Sequence, residues 1–365
     1  MPFTYDQAVR SFNENKIREL SEDSEGLRFL LLRSLSRREQ MERLIKETGI
    51  KIEASGARQL LPAIYQSEVA IEDIKKIIRA IYSEERKQRQ QSEDELISEL
   101  YKIKVFDWGG LHQNSLEKTI VNNYVKKIRS FNTLSEKIED ELHHSMRAYV
   151  QCSWYNHWTS IIIEDVFRDH HRVLPAVGQI KQIDFFIDDT PFDLKVTYLP
   201  EGYIKEKRRD DGLRPETTLL KQISRSLGIH IDASLPEARL LEDLWNKIYD
   251  HPSGDARSLI DELKSKRFEI LRACVSNPEE LIRWLYENQG VRRFDASNRL
   301  FLVLINRNDF FSSWKLKRAK PLLVNQIHNH LNQLGKHPGQ EITFKWDGDH
   351  YKAVSESIFI VPSEE

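Results

Sequence analysis

The amino-acid sequence predicts an α/β protein in which a central sheet, covered by helices, follows a mainly α-helical N-terminal region. Three observations support this fold class. From residue 5 to about residue 104, apolar residues recur every three or four positions, as in amphipathic helices. Between residues 182 and 199 the pattern changes to that of two strands joined by a turn. The run LFLVLI at residues 300–305 indicates a strand that is buried on both faces.

Composition limits the kind of protein. The 365 residues are 39% hydrophobic and 31% charged, with a formal net charge of -2. No run of about 18 apolar residues could cross a bilayer, so we expect no membrane association. The first sixteen residues lack the pattern of a secretion signal, so we expect a cytoplasmic protein. Because the chain has no excess of basic residues, any contact with DNA must come from local basic clusters. Cys152 and Cys274 are far apart in sequence and are expected to be reduced.

Two features of the helical N-terminal region have more than one interpretation. Segments 38–50 and 53–65, separated at Thr48-Gly49, have the outline of a helix-turn-helix, but an ordinary helical hairpin has the same pattern and is more common. Segment 84–95 contains no apolar residue. We therefore expect an exposed helix or a linker there, and we treat the segment as a candidate boundary between two subdomains.

A helical stretch from about residue 115 to residue 167 leads into a predicted β-hairpin. Its strands are residues 182–187 and 192–199, and the turn is Asp188-Asp189-Thr190-Pro191, which has typical turn residues. After Pro200 we expect a basic and polar loop and then further helices. Segments 342–346 and 357–361 are expected to add an edge hairpin to the sheet.

The second hairpin strand carries the residues that suggest chemistry. Because side chains alternate along a strand, Asp193, Lys195 and Thr197 share one face, and apolar residues fill the other. Asp184 on the partner strand can lie opposite them when the hairpin closes. Carboxylate oxygens are ligands that Mg²⁺ prefers, and a bound Mg²⁺ can activate water for attack on a phosphodiester. A lysine at this place can orient the water or stabilise the transition state.

The hairpin and the helix before it resemble the PD-(D/E)xK nuclease superfamily, typified by many type II restriction endonucleases. The matching residues are Gln182-Ile183-Asp184 and Asp193-Leu194-Lys195, with Glu164 in the upstream segment SIIIEDVF. The resemblance covers roughly residues 154–305. Ile183 stands where the name-giving proline would be, a position that is loosely kept in the superfamily.

This resemblance implies a restriction-endonuclease-like fold, a mixed central sheet flanked by helices. It makes residues 111–365 the nuclease domain, with a core of about 154–305, and leaves residues 1–110 for recognition, dimerisation or docking. It also implies Glu164 as a third acidic group in catalysis and metal binding. Asp165, on the same helix, competes with Glu164 for that role.

The expected function is therefore that of a Mg²⁺-dependent DNA endonuclease, of a restriction or other host-defence system. Asp184, Asp193 and Glu164 are the expected metal ligands, with Lys195 beside the nucleophile. The substrate is double-stranded DNA. Cutting both strands requires two active sites, which a homodimer supplies, and a cognate methyltransferase is a further candidate partner.

Other interpretations stay open. A nuclease of DNA repair or RNA processing would share the motif, and in a non-catalytic DNA-binding protein the N-terminal helices would do the work. Asp193 and Lys195 could also form a solvated ion pair on an edge strand, worth under about 1 kcal/mol. The apolar residues that flank them argue against an exposed strand.

Basic clusters after the catalytic strand are candidate contacts to nucleic acid, with solvated charge as the alternative. They comprise Lys205, Lys207, Arg208 and Arg209, then Arg292 and Arg293, and finally Lys315, Lys317 and Arg318. The aromatic residues Trp154, Tyr155, Trp158 and Trp314 are expected to pack in the core. The pairs His143-His144 and His170-His171, with His328 and His330, are expected at helix surfaces or as supporting groups rather than as metal ligands.

Overall fold

The computed structural model of the chain describes residues 2–35, 37–53, 56–105, 120–178, 180, 182–288, 297–335, 338–346 and 348–362. The basic pair Arg292-Arg293 and the predicted domain boundary near residue 110 lie outside these residues. No helix in the described ranges is long and apolar enough to cross a membrane.

The N-terminal region is helical, as predicted. Its helices are α1 (Tyr5–Asn13), α2 (Ile17–Ser21), α3 (Ser24–Ser34), α4 (Arg38–Thr48), α5 (Ala57–Gln66), α6 (Ile71–Gln90) and α7 (Glu93–Leu100). Helix α4 ends at Gly49, whose φ of 68° lies in the left-handed region that glycine adopts without strain. The apolar faces of these helices share one core with Leu174, Ile183 and Phe186 near the start of the sheet. The N-terminal helices therefore pack directly on the sheet-forming part of the chain.

Gly26 allows helices α2 and α3 to approach closely. A Cβ atom built on Gly26 would lie 2.3 Å from the carbonyl oxygen of Leu20, which is backbone and cannot move aside cheaply. We expect Gly26→Ala to lower the free energy of unfolding by about 1 to 3 kcal/mol, because the two helices must separate. Urea denaturation measures the change. Gly254→Ala is the matched control, since among described atoms nothing lies within 4 Å of its Cβ position, and a destabilisation as large as that of Gly26→Ala would contradict the steric explanation.

Segment 84–95 is helical at both ends but is not fully exposed, which corrects part of the prediction. Arg86 is 5% exposed and Glu93 is 7% exposed. Arg86 Nη2 lies 2.9 Å from Asp169 Oδ2 and 3.2 Å from Glu93 Oε2. Opposite charges pair across neighbouring helices here, so a lack of apolar residues did not mean exposure to solvent.

The second half of the chain begins with a long helix and continues into strands and helices. A π-helical turn (Ile120–Val125), α8 (Phe131–Lys137) and a second π-helical turn (Ile138–Leu142) precede α9 (His143–Arg168). Strands β1 (Val173–Pro175), β2 (Phe185–Ile187) and β3 (Thr190–Tyr198) follow. The helices α10 (Glu201–Asp210), α11 (Glu216–Ser226), α12 (Glu237–Tyr249), α13 (Gly254–Ser276) and α14 (Glu279–Asn288) separate β3 from β4 (Arg299–Leu304). A 3₁₀ helix (Phe310–Arg318), α15 (Lys320–Gln333), β5 (Gln340–Trp346) and β6 (Asp349–Ile360) complete the described elements.

The described strands form one mixed sheet in the order β1-β2-β3-β4-β6-β5. Strands β1 and β2 pair antiparallel, as do β2 and β3, whereas β4 is parallel to both β3 and β6. Strand β5 pairs antiparallel with β6 and lies at the edge. A C-terminal hairpin is present, but its second strand differs from the prediction: residues 342–346 pair with residues 349–353, and residues 357–360 pair with β4. β6 is therefore an inner strand.

Helices cover both faces of the sheet, as the apolar run 300–305 predicted. Every residue of β4 is buried. Leu300, Leu302 and Leu304 pack on the face covered by α9 and α15. Phe301 and Val303 pack on the opposite face, against α10, α13 and α14. The predicted α/β class with a helix-covered mixed sheet is therefore confirmed.

The segment after Pro200 is a helix, so the predicted basic loop is wrong. Pro200 has an extended backbone and occupies the N-cap position of α10. Glu201 lies in the first turn, and Lys207, Arg208 and Arg209 lie in the last turn. Acidic residues at the start and basic residues at the end of a helix both interact favourably with its dipole. The segment is polar and basic, which suggested a loop, but the order of its charges is typical of a helix.

Candidate active site

The predicted hairpin forms, with a turn shorter than expected. Asp188 and Asp189 have φ values of 45° and 70°, as a two-residue turn with left-handed central residues requires. Thr190 and Pro191 already belong to β3, and Phe185 pairs with Phe192. Continuing this register by one residue places Asp184 opposite Asp193, as the sequence predicted.

Asp193 and Lys195 form an ion pair on one face of β3. Lys195 Nζ lies 2.7 Å from Asp193 Oδ1, and the Asp193 side chain is 14% exposed whereas that of Lys195 is 46% exposed. Arg299 Nε is 3.9 Å from Asp193 Oδ2, because the parallel register pairs Asp193 with Arg299. β3 pairs with β2 at residues 190–192 and with β4 at residues 193–198, so Asp193 and Lys195 have a strand partner on the β4 side only. The Asp193 carboxylate is thus partly buried between two cations.

Asp184 is a half-buried carboxyl just before β2. The backbone N–H of Leu194 donates a hydrogen bond of 2.7 Å to Asp184 Oδ2. Burial nevertheless raises the pKa of Asp184 above its usual value, and the negative charge of Asp193 acts in the same direction. The two carboxyl groups therefore repel each other across the open end of the hairpin.

Glu164, rather than Asp165, belongs to the same group of charges. Burial raises the pKa of Glu164, and the charge of Asp184 raises it further. Arg168, one turn later on α9, lies 2.8 Å from Glu164 Oε2. Asp165 is 2% exposed and pairs with Arg89 of α6 at 2.7 Å. Asp165 thus joins α9 to the N-terminal helices and takes no part at the hairpin.

Two arginines at this site were not predicted. Arg168 Nη2 donates to the Asp184 carbonyl oxygen at 3.1 Å and also pairs with Glu164, so it joins the helix to the hairpin. Its spacing of four residues from Glu164 was a signal in the sequence. Arg299 reaches Asp193 only through the pairing of β3 with β4. That pairing joins strands about a hundred residues apart, and no local pattern encodes it.

The carboxylates at this site suit Mg²⁺ better than a metal ion whose ligands must all come from protein side chains. In the described parts of the chain, no group of three or more His, Cys, Asp or Glu side chains converges tightly enough to hold a metal ion by itself. Mg²⁺ commonly uses one or two carboxylates, keeps several waters and takes further oxygens from a phosphate. Asp184 and Asp193 supply such a pair, and their mutual repulsion would be relieved by a divalent cation.

The structure divides the predicted nucleic-acid contacts into two sets. Arg208 is 1% exposed, Lys317 is 9% exposed and Arg318 is 5% exposed, so burial excludes direct contact with a nucleic acid in this conformation. Arg208 donates to the Arg214 carbonyl oxygen, Lys317 to Asn156 and Arg318 to the carbonyl oxygen of Leu100, each within the fold. Lys205 and Arg209 are exposed, while Lys207 and Lys315 are partly exposed. These four remain candidates.

The aromatic and histidine residues have mainly packing roles. Trp314 is 5% exposed and makes an edge contact with Tyr155 at 5.3 Å, as expected for a core residue. His143 and His144 are exposed, but His170 is 5% exposed. His170 Nε2 lies 3.0 Å from Asn332 Oδ1, and its ring contacts that of His328 at 5.1 Å. The expectation of a helix surface is therefore wrong for His170, which packs between α9 and α15.

The three comparisons with known proteins give no match: no family model, no curated protein and no solved structure is significantly similar to this chain. No family is shown. Any assignment of function to the hairpin therefore rests on its own residues and geometry.

Proposed function

We propose that this chain is a Mg²⁺-dependent endonuclease that hydrolyses phosphodiester bonds in double-stranded DNA, with a restriction-endonuclease-like fold and a role in restriction or related host defence. One observation carries the proposal: Asp184, Asp193 and Lys195 meet at the open end of the β2–β3 hairpin, next to its buried residues Phe185 and Phe192. Lys195 is held 2.7 Å from Asp193, and the N–H of Leu194, between them, is 2.7 Å from Asp184. The flanking helix adds Glu164, whose charge is coupled to that of Asp184.

Each group has a defined role in this proposal. Asp184 and Asp193 would hold the ion, which when bound lowers the pKa of water and offsets charge on the phosphate. Lys195 is more exposed than its partner Asp193, so its ammonium can leave that carboxylate and reach a scissile phosphate or the attacking water. Glu164, predicted as a third ligand, forms no three-carboxylate metal group with Asp184 and Asp193 in the described structure, so it would orient water beside the ion. Arg168 and Arg299 hold the carboxylates in position.

Two active sites are needed to cut both strands in one encounter, so we propose a homodimer as the working form. The mass of the protein on a short duplex, measured by light scattering, tests this. A monomeric mass on DNA would contradict it. A cognate methyltransferase is proposed as a partner only if the enzyme proves to be sequence-specific.

The test of the proposed function is a substrate and metal profile of the wild-type protein. We expect cleavage of plasmid and phage duplex DNA with Mg²⁺ and no cleavage with EDTA or with Ca²⁺ alone. Discrete fragments would support restriction, whereas preferential cleavage of RNA or of damaged DNA would replace it by RNA processing or repair. Binding without cleavage of any substrate would favour a non-catalytic DNA-binding protein.

Mg²⁺ is also expected to stabilise the folded protein, with a defined pH dependence. The pKa values of Asp184 and Glu164 are raised in the folded state, so their ionisation weakens folding. Without metal, stability from these groups is present below about pH 4, the ordinary carboxyl pKa, and is lost as pH rises through the raised values. Mg²⁺ at about ten times its Kd restores ~1.4 kcal/mol where the carboxyls are ionised.

Thermal unfolding of the wild type and Asp184→Asn, each with Mg²⁺ and with EDTA, measures this effect. We expect the Tm of the wild type to rise with Mg²⁺ at neutral pH and to rise less under acidic conditions. Asp184→Asn should have a higher Tm than the wild type in EDTA and no response to Mg²⁺. An equal Mg²⁺ response in both proteins would place the ion elsewhere.

A further inference from the structure

Helix α11 presents one polar face to solvent. Its opposite face is buried at Glu216, Leu220 and Ser224. The polar face carries four residues with helical spacing, which places them in one stripe: Thr218, Lys221, Gln222 and Arg225. The Arg214 guanidinium, just before the helix, donates to Gln222 Oε1 at 3.4 Å and extends the stripe.

The stripe has positive charge without nearby compensation. Arg214, Lys221 and Arg225 make no ion pair with any residue that the structure describes. The neighbouring carboxylates are already paired: Asp210 with Lys207 at 3.7 Å, Asp211 with Lys266 at 2.6 Å, and Glu216 with Arg267 at 2.5 Å. The cations of the stripe therefore remain available to a polyanion.

The helix-turn-helix candidate in the N-terminal region, formed by α4 and α5, carries arginines that are already paired with carboxylates. On α4, Arg38 pairs with Glu42 at 2.6 Å, and Arg43 pairs with Glu47 at 2.7 Å and with Glu84 at 2.8 Å. These carboxylates neutralise the guanidinium groups that would have to contact phosphates. The α4–α5 hairpin thus fits an ordinary structural role better than a helix-turn-helix role.

Helix α11 is also fixed relative to the proposed active site. Arg267 of α13 is 1% exposed and lies 2.7 Å from Glu201 of α10 and 2.5 Å from Glu216 of α11. Helix α10 begins three residues after the last residue of β3. The buried charges therefore hold the base of α11 to α10, the helix that follows the strand carrying Asp193 and Lys195.

We propose that the stripe on α11 is a binding surface for double-stranded DNA and that α11 enters the major groove. The major groove of B-DNA is about 12 Å wide and admits a helix, whereas that of A-form RNA is too narrow. Single strands are bound by stacking on aromatic rings, and the stripe has none. In this proposal Arg214, Lys221 and Arg225 contact phosphates, and Thr218 and Gln222 face base edges. The side-chain amide of a glutamine can form two hydrogen bonds with adenine. This surface rests on the proposed function and deepens it by naming where the DNA substrate binds.

Fluorescence anisotropy of a labelled duplex in EDTA tests the surface without cleavage, so its failure is distinguishable from failure of the nuclease proposal. The probe is a duplex of mixed sequence, titrated at several salt concentrations. For Lys221→Ala/Arg225→Ala we expect binding about tenfold weaker, with the slope of log K against log salt reduced by about two. The matched control, Arg38→Ala/Arg43→Ala, should bind like the wild type.

Three outcomes would contradict the proposal that the stripe on α11 binds duplex DNA. They are equal binding by the wild type and the α11 variant, loss of binding only in the α4 control, and tighter binding of single-stranded RNA than of duplex DNA. Circular dichroism of each variant must first show a wild-type helical content. If Lys221→Ala/Arg225→Ala proves unstable, Lys221→Gln/Arg225→Gln repeats the test with side chains of similar length. Gln222→Ala should leave the salt slope unchanged and alter the order of preference among duplex sequences.

Discussion

Asp193→Asn and Lys195→Met are each expected to reduce the rate of Mg²⁺-dependent DNA cleavage by about 100- to 1000-fold. The first variant keeps the shape of the side chain but removes a charged metal ligand. The second keeps the apolar stem of the lysine but removes the ammonium that would stabilise the transition state. Single-turnover cleavage of supercoiled plasmid, with enzyme in excess over DNA, measures the rate directly.

The matched control is another Asp–Lys ion pair in the same chain. Asp243 and Lys247 on α12 lie 2.6 Å apart, with side chains that are 29% and 37% exposed. Asp243→Asn and Lys247→Met should cleave at the wild-type rate. If the Asp193 and Lys195 variants kept that rate while folding normally, the pair on β3 would be a structural ion pair only.

Arg267→Met is expected to lower the free energy of unfolding by about 3 to 5 kcal/mol, because it leaves the buried carboxylate of Glu216 without its partner. Arg267 also lies over the ring of Trp245 at 5.0 Å, so the substitution removes a cation–π contact. Guanidinium denaturation followed by tryptophan fluorescence measures the loss. We expect the helices α10 to α13 to be affected most, since Arg267 joins three of them.

A second variant separates lost charge balance from lost packing. Arg267→Met/Glu216→Leu removes the partner along with the arginine, and replacing a buried ion pair by apolar residues is often nearly neutral. We therefore expect it to recover most of the stability that Arg267→Met loses. Equal destabilisation of both variants, or a change below about 1 kcal/mol in Arg267→Met, would contradict the role assigned to the buried charges.

Local patterns in the sequence predicted the elements that depend on neighbouring residues. The alternation in β3, the Asp188-Asp189 turn and the apolar run of β4 were each visible, because strand periodicity and turn chemistry are local properties of the chain. The opposition of Asp184 and Asp193 followed from the hairpin alone. Strand alternation and hairpin closure are therefore sufficient to bring the two carboxylates and the lysine together.

Long-range contacts were not predictable in the same way. The contact between Arg299 and Asp193 depends on a parallel register, because β3 and β4 are far apart in the chain. A run of charged residues in a sequence does not show which of them are solvated and which are paired in the interior. The burial of Arg208 was therefore not predictable from the neighbouring residues. Likewise, Glu164 and Asp165 are adjacent, and only the packing of α6 against α9 assigns Asp165 to an arginine of α6.

The predicted loop after Pro200 was wrong for a different reason. Its residues are polar and basic, which is common in loops, but their order from Glu201 to Arg209 is acidic first and basic last. That order matches the helix dipole and was present in the sequence. Charge order along a segment is therefore more informative here than its polarity.

The most direct test of a cation site at the hairpin is to replace Mg²⁺ by Fe²⁺ and generate hydroxyl radicals, which cut the protein backbone next to the bound metal. Mass spectrometry then locates the cuts. We expect breaks beside Asp184 and Asp193 that added Mg²⁺ suppresses and that Asp184→Asn/Asp193→Asn abolishes. Cuts elsewhere in the chain, or cuts at the hairpin that neither Mg²⁺ nor the double substitution changes, would contradict metal-dependent hydrolysis at this site.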